Sequence, residues 1–278
     1  MKIELPLLAF LLLSCCLHAQ QVTGTVLDAG TGRVLSYVHV GIEQLDRGTI
    51  SNDRGLFRLD AAGLSPDDSV RFSMIGYETR YLEVSEIRSK PEVRLTPVSY
   101  GLNKFTLTAP TTTERILLGA DTPSKTTTGE SGTTDFGRGW EWGIRISYPE
   151  QPYYLKTVDF HTHFNTVDSA LFRIHVYTIR NGLPDRPLLT QAAYTTSRKK
   201  DKWISADLRE QNILVEEDIV VTYELVRIWY GRKDRKNALF YTHSADSSHT
   251  SFYRPSSFAN WEVDTRTPPA LYLRGIAQ

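Results

Sequence analysis

The chain has 278 residues, in which 32 Lys and Arg balance 32 Asp and Glu, and 40% are hydrophobic and 11% aromatic. Zero formal charge excludes a genome-wide DNA binder, and this composition excludes a disordered or collagen-like polymer. The only cysteines, Cys15 and Cys16, are adjacent and cannot staple distant parts of a core, while the length predicts two domains.

Residues 1–20 read as an export signal: Lys2, an apolar run from Leu5 to Leu13, then Leu17-His18-Ala19, with cleavage near Ala19 or Gln20. The run is shorter than the roughly 20 apolar residues that a membrane span needs. Leu12-Leu13-Ser14-Cys15 offers a competing pattern, since it resembles a bacterial lipobox, and Cys15 would then carry a lipid anchor. Any membrane attachment is expected through that anchor alone.

From Val22 to about Pro97 the chain reads as short alternating strands between turn residues, about seven in all and without a helical period, which predicts a small all-β sandwich over 22–98. Asn52-Asp53-Arg54-Gly55 is read as a turn rather than a calcium loop, because it offers too few oxygens at the required spacing. The strings GTVLDAGTGRVLSYVHV, SNDRGLFRL and FSMIGYET resemble the carboxypeptidase-like regulatory domain of exported proteins of Bacteroidetes-type bacteria. That resemblance implies a transthyretin-like (prealbumin-like) seven-stranded sandwich without catalytic residues, and a location in the periplasm or at the outer-membrane surface.

Residues 99–139 are rich in Thr, Ser and Gly and are read as linker and surface loop. From 140 to 278 about eight strands are expected, forming a jelly-roll-like β-sandwich. In YLKTVDFHTHF, Val158, Phe160, Thr162 and Phe164 are expected on the core face, with Asp159, His161 and His163 on the other. In LFRIHVYTI, Phe172, Ile174 and Val176 point inward and Arg173, His175 and Tyr177 outward, and the strand ends at the turn Asn181-Gly182-Leu183-Pro184. FRIHVYTIRNGLPDRPLL, KWISADLREQNILVEEDIVVTYEL and FYRPSSFANWE resemble the C-terminal sandwich that follows the regulatory domain in a group of exported proteins. This second resemblance implies architecture and location, and no activity.

His161 and His163 are weak candidates for a metal pair, because two imidazoles two residues apart on a strand reach one side. Enzymes that use such a pair resemble (β/α)₈ barrels with helices between the strands, so the expected reading is two imidazoles on the outer face of a sheet. His243, Asp246 and His249 would join them only if their Ser-rich loop folded over that sheet. No zinc-protease, serine-hydrolase or phosphate-loop motif occurs, and neither catalytic residues nor a cofactor are expected.

The basic loops 198–202 and 232–236 are read as solvated hairpin caps, with a site for an anionic glycan or lipopolysaccharide as the alternative. Trp140, Trp142, Tyr253 and Trp261 are the candidate ligand-binding residues, since Trp and Tyr present a flat apolar face with a polar edge. The reading is therefore a non-enzymatic envelope protein that binds a glycan or an envelope protein and no nucleic acid. A metal-dependent hydrolase and a purely structural spacer are the alternatives.

Overall fold

The computed structural model describes residues 21–98 apart from 44 and 46, 114–131, 139–230, and 238–278 apart from 265 and 266. The export signal with Cys15, the whole 99–113 stretch and the loop 232–236 lie outside the described residues. The chain divides into two compact units, Met1–Val98 with Ser256–Ala259, and Ser99–Pro255 with Asn260–Gln278. Both are built almost wholly of strands. No helix among the described residues is long and apolar enough to cross a membrane.

The first unit contains β1 (Gln21–Asp28), β2 (His39–Gly41), β3 (Gly48–Ile50), β4 (Leu56–Asp60), β5 (Ser69–Ser73), β6 (Arg80–Glu83), α1 (Val84–Ser89) and β7 (Glu92–Leu95). They form a three-stranded sheet, β4-β1-β7, and a four-stranded sheet, β3-β2-β5-β6. Strand alternation turns Phe57 of β4 and Phe72 of β5 toward each other, and their rings meet edge to face at 5.3 Å. Val26, Val40, Leu59 and Val70 complete that core. The helix was not expected from the sequence. It is only six residues long, and it is set by a capping box in which Glu83 and Glu86 each accept from the other's backbone N–H.

Asn52 folds the predicted turn: its Oδ1 accepts from the N–H groups of Arg54 and Leu56, and Gly55 takes the positive φ of 72° that follows. Asp28, at the end of β1, performs a similar task with more partners. Its carboxylate accepts from the backbone N–H of Gly30 and Thr31, the Thr31 hydroxyl and the Tyr77 hydroxyl at 2.7–3.0 Å. The Thr31 N–H, and after it Tyr77, hold the Asp28 carboxyl below its ordinary value. A lowered folded-state value stabilises the unit above the unfolded-chain value near pH ~4, and that contribution disappears as pH falls through the folded value. Asp28→Asn is expected to lower the melting temperature of this unit at pH 7 and to flatten its loss of stability below about pH 4. Far-UV circular dichroism melts of both forms from neutral to acid pH check this.

The second unit contains β8 (Arg115–Ala120), β9 (Pro123–Ser131), β10 (Glu141–Ile146), β11 (Tyr153–Asn165), β12 (Ser169–Arg180), β13 (Leu183–Pro187) and β14 (Ala193–Arg198). It continues with β15 (Trp203–Asp207), β16 (Leu214–Val215), β17 (Ile219–Trp229), β18 (Ala238–Ser244), β19 (Ser251–Arg254), β20 (Glu262–Asp264) and β21 (Leu271–Ala277). One seven-stranded sheet runs β13-β12-β17-β10-β19-β20, with β14 also on β12. The other runs β8-β21-β11-β18-β9, with β15 and β16 also on β11. Among the described residues of 140–278, twelve strands, β10 to β21, stand where about eight were expected, because long strands such as β11 are each paired along their length by several others.

The two sheets face each other across an aromatic core. Phe160 of β11 stacks on Tyr223 of β17 at 4.4 Å and 10°, with Phe172 and Tyr241 packed edge-on around them. Asn181 and Gly182 both take positive φ, 52° and 79°, which lets the two-residue turn between β12 and β13 follow the twist of the strands.

Three expectations are corrected here. Residues 115–131, assigned to a linker, form β8 and β9, paired with β21 and β18. In β11 the alternation fails after Thr162, where a bulge shifts the register: Phe164 becomes exposed and Asn165 buried. In β12 the outward set Arg173, His175 and Tyr177 is buried as well.

Candidate ligand cleft and a buried ion-pair network

A cleft opens between the edge strands β9 and β20, one from each sheet of the second unit. Register assembles its walls. β10 sets Trp142 opposite Tyr253 of β19, and β19 in turn sets Tyr253 and Ser251 opposite Glu262 and Asp264 of β20. From the other sheet, Tyr241 lies opposite Thr128. Trp140, just before β10, packs edge-on against Tyr241 at 5.3 Å. The cavity between these walls measures about 400 Å³, within the range usual for small-molecule sites.

Trp140 and Trp142 line the cavity but are each only 8% exposed, whereas Tyr253 is 38% exposed. His243 stands against Trp142 with ring centroids 4.8 Å apart. Its Nδ1 lies 3.2 Å from the Thr267 carbonyl, which can only accept, so Nδ1 donates; in the neutral ring Nε2 then accepts from the Thr128 hydroxyl at 2.7 Å. The Ser251 hydroxyl is committed to the Asp264 carbonyl at 2.8 Å. The cavity thus combines aromatic edges and a partly exposed tyrosine with hydroxyl and carboxylate groups on the rim.

Trp261 is not in the cleft. It precedes Glu262 of β20, so alternation turns it to the opposite face, where Tyr177, Phe252 and the Arg254 guanidinium at 4.7 Å pack on it. That face carries a feature that the sequence reading missed. Glu224 accepts from Arg173 Nε and Nη2 at 2.8 and 2.9 Å and contacts His175 Nε2 at 2.8 Å. Glu141, directly opposite Glu224 in register, accepts from the hydroxyls of Tyr177 and Thr222 and from Arg254. Both carboxylates are fully buried.

Burial is the largest influence and disfavours the charge on Arg173, but Glu224, Tyr194 and Glu141 together outweigh it and hold the guanidinium above its ordinary value. Burial, and after it Glu141, pushes the Tyr177 phenol well up, so it stays a neutral donor. Two guanidinium groups against two carboxylates make a balanced set, which explains how one sheet face can bury four such groups. A single carboxylate inside the apolar run of β17, IVVTYELVRIW, was the available signal.

His161 and His163 do not make a metal centre among the described residues. The bulge after Thr162 separates their surroundings: His161 is half-buried, with Nδ1 2.8 Å from the Thr242 hydroxyl, while His163 is exposed. His243 is turned into the cleft, while its neighbour Thr242 faces His161, so the later histidines do not join the pair. Asp246 and His249 lie 3.5 Å apart, and the Asp246 carboxylate also accepts from the Ser248 N–H at 2.9 Å.

Residues 22–106 match the family model of the CarboxypepD_reg-like domain. The N-terminal part of the chain is therefore a CarboxypepD_reg-like domain. Its described strands are those of the two small sheets above, and the Tyr77–Asp28 hydrogen bond joins two of the sequence elements by which it is recognised, GTVLD and IGY. No curated protein matches the chain.

Proposed function

We propose that this is an exported, non-catalytic envelope protein whose second unit binds a glycan in the cleft between β9 and β20. The observation that carries the reading is the cavity of about 400 Å³ with Trp142 and Tyr253 on one wall and Thr128, Glu262 and Asp264 around it. The apolar C–H face of a sugar ring stacks on aromatic carbon, and its hydroxyls donate to carboxylate and hydroxyl oxygens. His243 and Ser251 are each held by other partners, which favours binding over nucleophilic chemistry at this place. The N-terminal apolar run preceding the CarboxypepD_reg-like domain supports export.

A glycan array probed with residues 21–278 tests the reading. Tyr253→Ala, which removes the most exposed wall, is expected to weaken the selected glycan at least about tenfold, the usual scale for a lost ring stack plus its excluded water. Failure to retain any glycan above background, or equal binding by the variant, refutes it.

A further inference from the structure

The outer face of the sheet containing β11 carries a second aromatic surface, distinct from the cleft. Register places Trp203 of β15 opposite His161 of β11, and Asp159 of β11 opposite Tyr272 of β21. The indole lies across β11, edge to face with His161 at 4.9 Å on one side and with Tyr272 at 4.9 Å on the other, and is still 36% exposed. A cation stands beyond each end. Lys202 Nζ donates to the His163 carbonyl near His161, and the Arg274 guanidinium lies 5.1 Å over Tyr272.

The groups at the two ends of the indole, Lys202 and Arg274, are both cationic although the chain as a whole is neutral. Trp203 directly follows the turn Arg198-Lys199-Lys200-Asp201-Lys202, whose Asp201 carboxylate is occupied by the Arg198 N–H. Asp159, beneath the indole, is buried, accepts from the Thr157 hydroxyl at 2.8 Å and faces Arg274 at 3.6 Å, and Asp121 lies near Tyr272. Burial and then the nearby Lys202 charge hold the His161 imidazole below its ordinary value, as expected in a positive local field. A flat exposed indole flanked by ammonium and guanidinium groups fits a ligand with an apolar ring face and acidic substituents. We propose that this face binds an acidic glycan, stacking a sugar ring on Trp203 and holding its carboxylates with Lys202 and Arg274.

The probe is an oligogalacturonate, with neutral oligogalactose as its control and anionic phospholipid vesicles as the rival acidic surface, titrated against residues 21–278 at low and high salt. Trp203→Ala is expected to weaken oligogalacturonate at least about tenfold. Lys202→Gln, an exposed and conservative change, should weaken it about threefold and reduce its salt dependence. Tyr253→Ala should leave it unchanged, so that failure here and failure of the cleft reading are separable. Both new variants should keep the wild-type urea midpoint. Undiminished binding by Trp203→Ala, equal affinity for neutral oligogalactose, loss of binding in Tyr253→Ala, or Trp203-dependent binding of the vesicles in place of the uronate overturns the proposal.

Discussion

Replacing Glu224 with alanine is expected to lower the stability of the second unit by about 3–5 kcal/mol, a large part of the roughly 5–15 kcal/mol that a domain has. The carboxylate itself is costly to bury, but its removal takes the bidentate partner away from a buried guanidinium. Arg173 is 2% exposed and donates from both Nε and Nη2 to Glu224. A guanidinium cannot shed its proton to escape an apolar site. His175 loses its 2.8 Å partner as well. Glu141, whose Oε1 lies 3.7 Å from His175 Nε2, remains nearby and limits the loss, which favours the lower end of the range.

The companion double variant Arg173→Met with Glu224→Leu removes both charges at similar volume and should recover most of what Glu224→Ala loses. Urea unfolding followed by tryptophan fluorescence isolates the relevant transition, because all five tryptophans, Trp140, Trp142, Trp203, Trp229 and Trp261, belong to the second unit. A loss under about 1 kcal/mol would show that water reaches Arg173 in solution.

The same network marks where sequence reading reached its limit. Alternation in LFRIHVYTI correctly separated Phe172, Ile174 and Val176 from Arg173, His175 and Tyr177, but polarity suggested that the second set faces water. Whether such a set is buried depends on partners in other strands, and Glu224 and Glu141 come from β17 and β10, dozens of residues away. In the first unit the signals are local and the reading succeeded: Asn52-to-Gly55 specifies its own turn, and short alternating strands meet across one small core.

Strand β9 failed in the opposite way. PSKTTTGES has no apolar periodicity, since it is an edge strand held by backbone pairing with β18, and a polar edge resembles a loop in composition. The cleft was half legible. Trp140, Trp142 and Tyr253 converge because β10 pairs with β19, but Trp261 was separated from them by one residue of strand parity at Glu262. The bulge after Thr162 has no marker in TVDFHTHF, and it alone decides that Phe164 is exposed and Asn165 buried.

Phe160→Ala should cost the second unit about 3–5 kcal/mol as well, by a different mechanism. Phe160 is fully buried at the middle of β11, stacked flat on Tyr223 and met by Phe172 at 4.9 Å. Removing the ring forfeits its transfer from water and leaves a void lined by these aromatics. Collapse onto that void is opposed by the strands on either side: β11 is fixed by β15 and β21, and β17 by β10 and β12. Phe160→Leu, which leaves a smaller void, should fall between the variant and the wild type.

The effect should also reach the cleft, although Phe160 does not line it. Trp140 rests edge-on against Tyr223 at 6.0 Å and against Tyr241 at 5.3 Å, so loosening Tyr223 loosens one wall of the cavity. Glycan affinity in Phe160→Ala is therefore expected to fall under conditions where the unit is still folded, while Glu224→Ala, acting on the opposite face of β17, should lose stability and keep its affinity. Urea midpoints and glycan titrations of the two variants, measured together, separate the effects. Equal affinity loss in both would mean that the cleft follows global stability rather than the packing beneath Trp140.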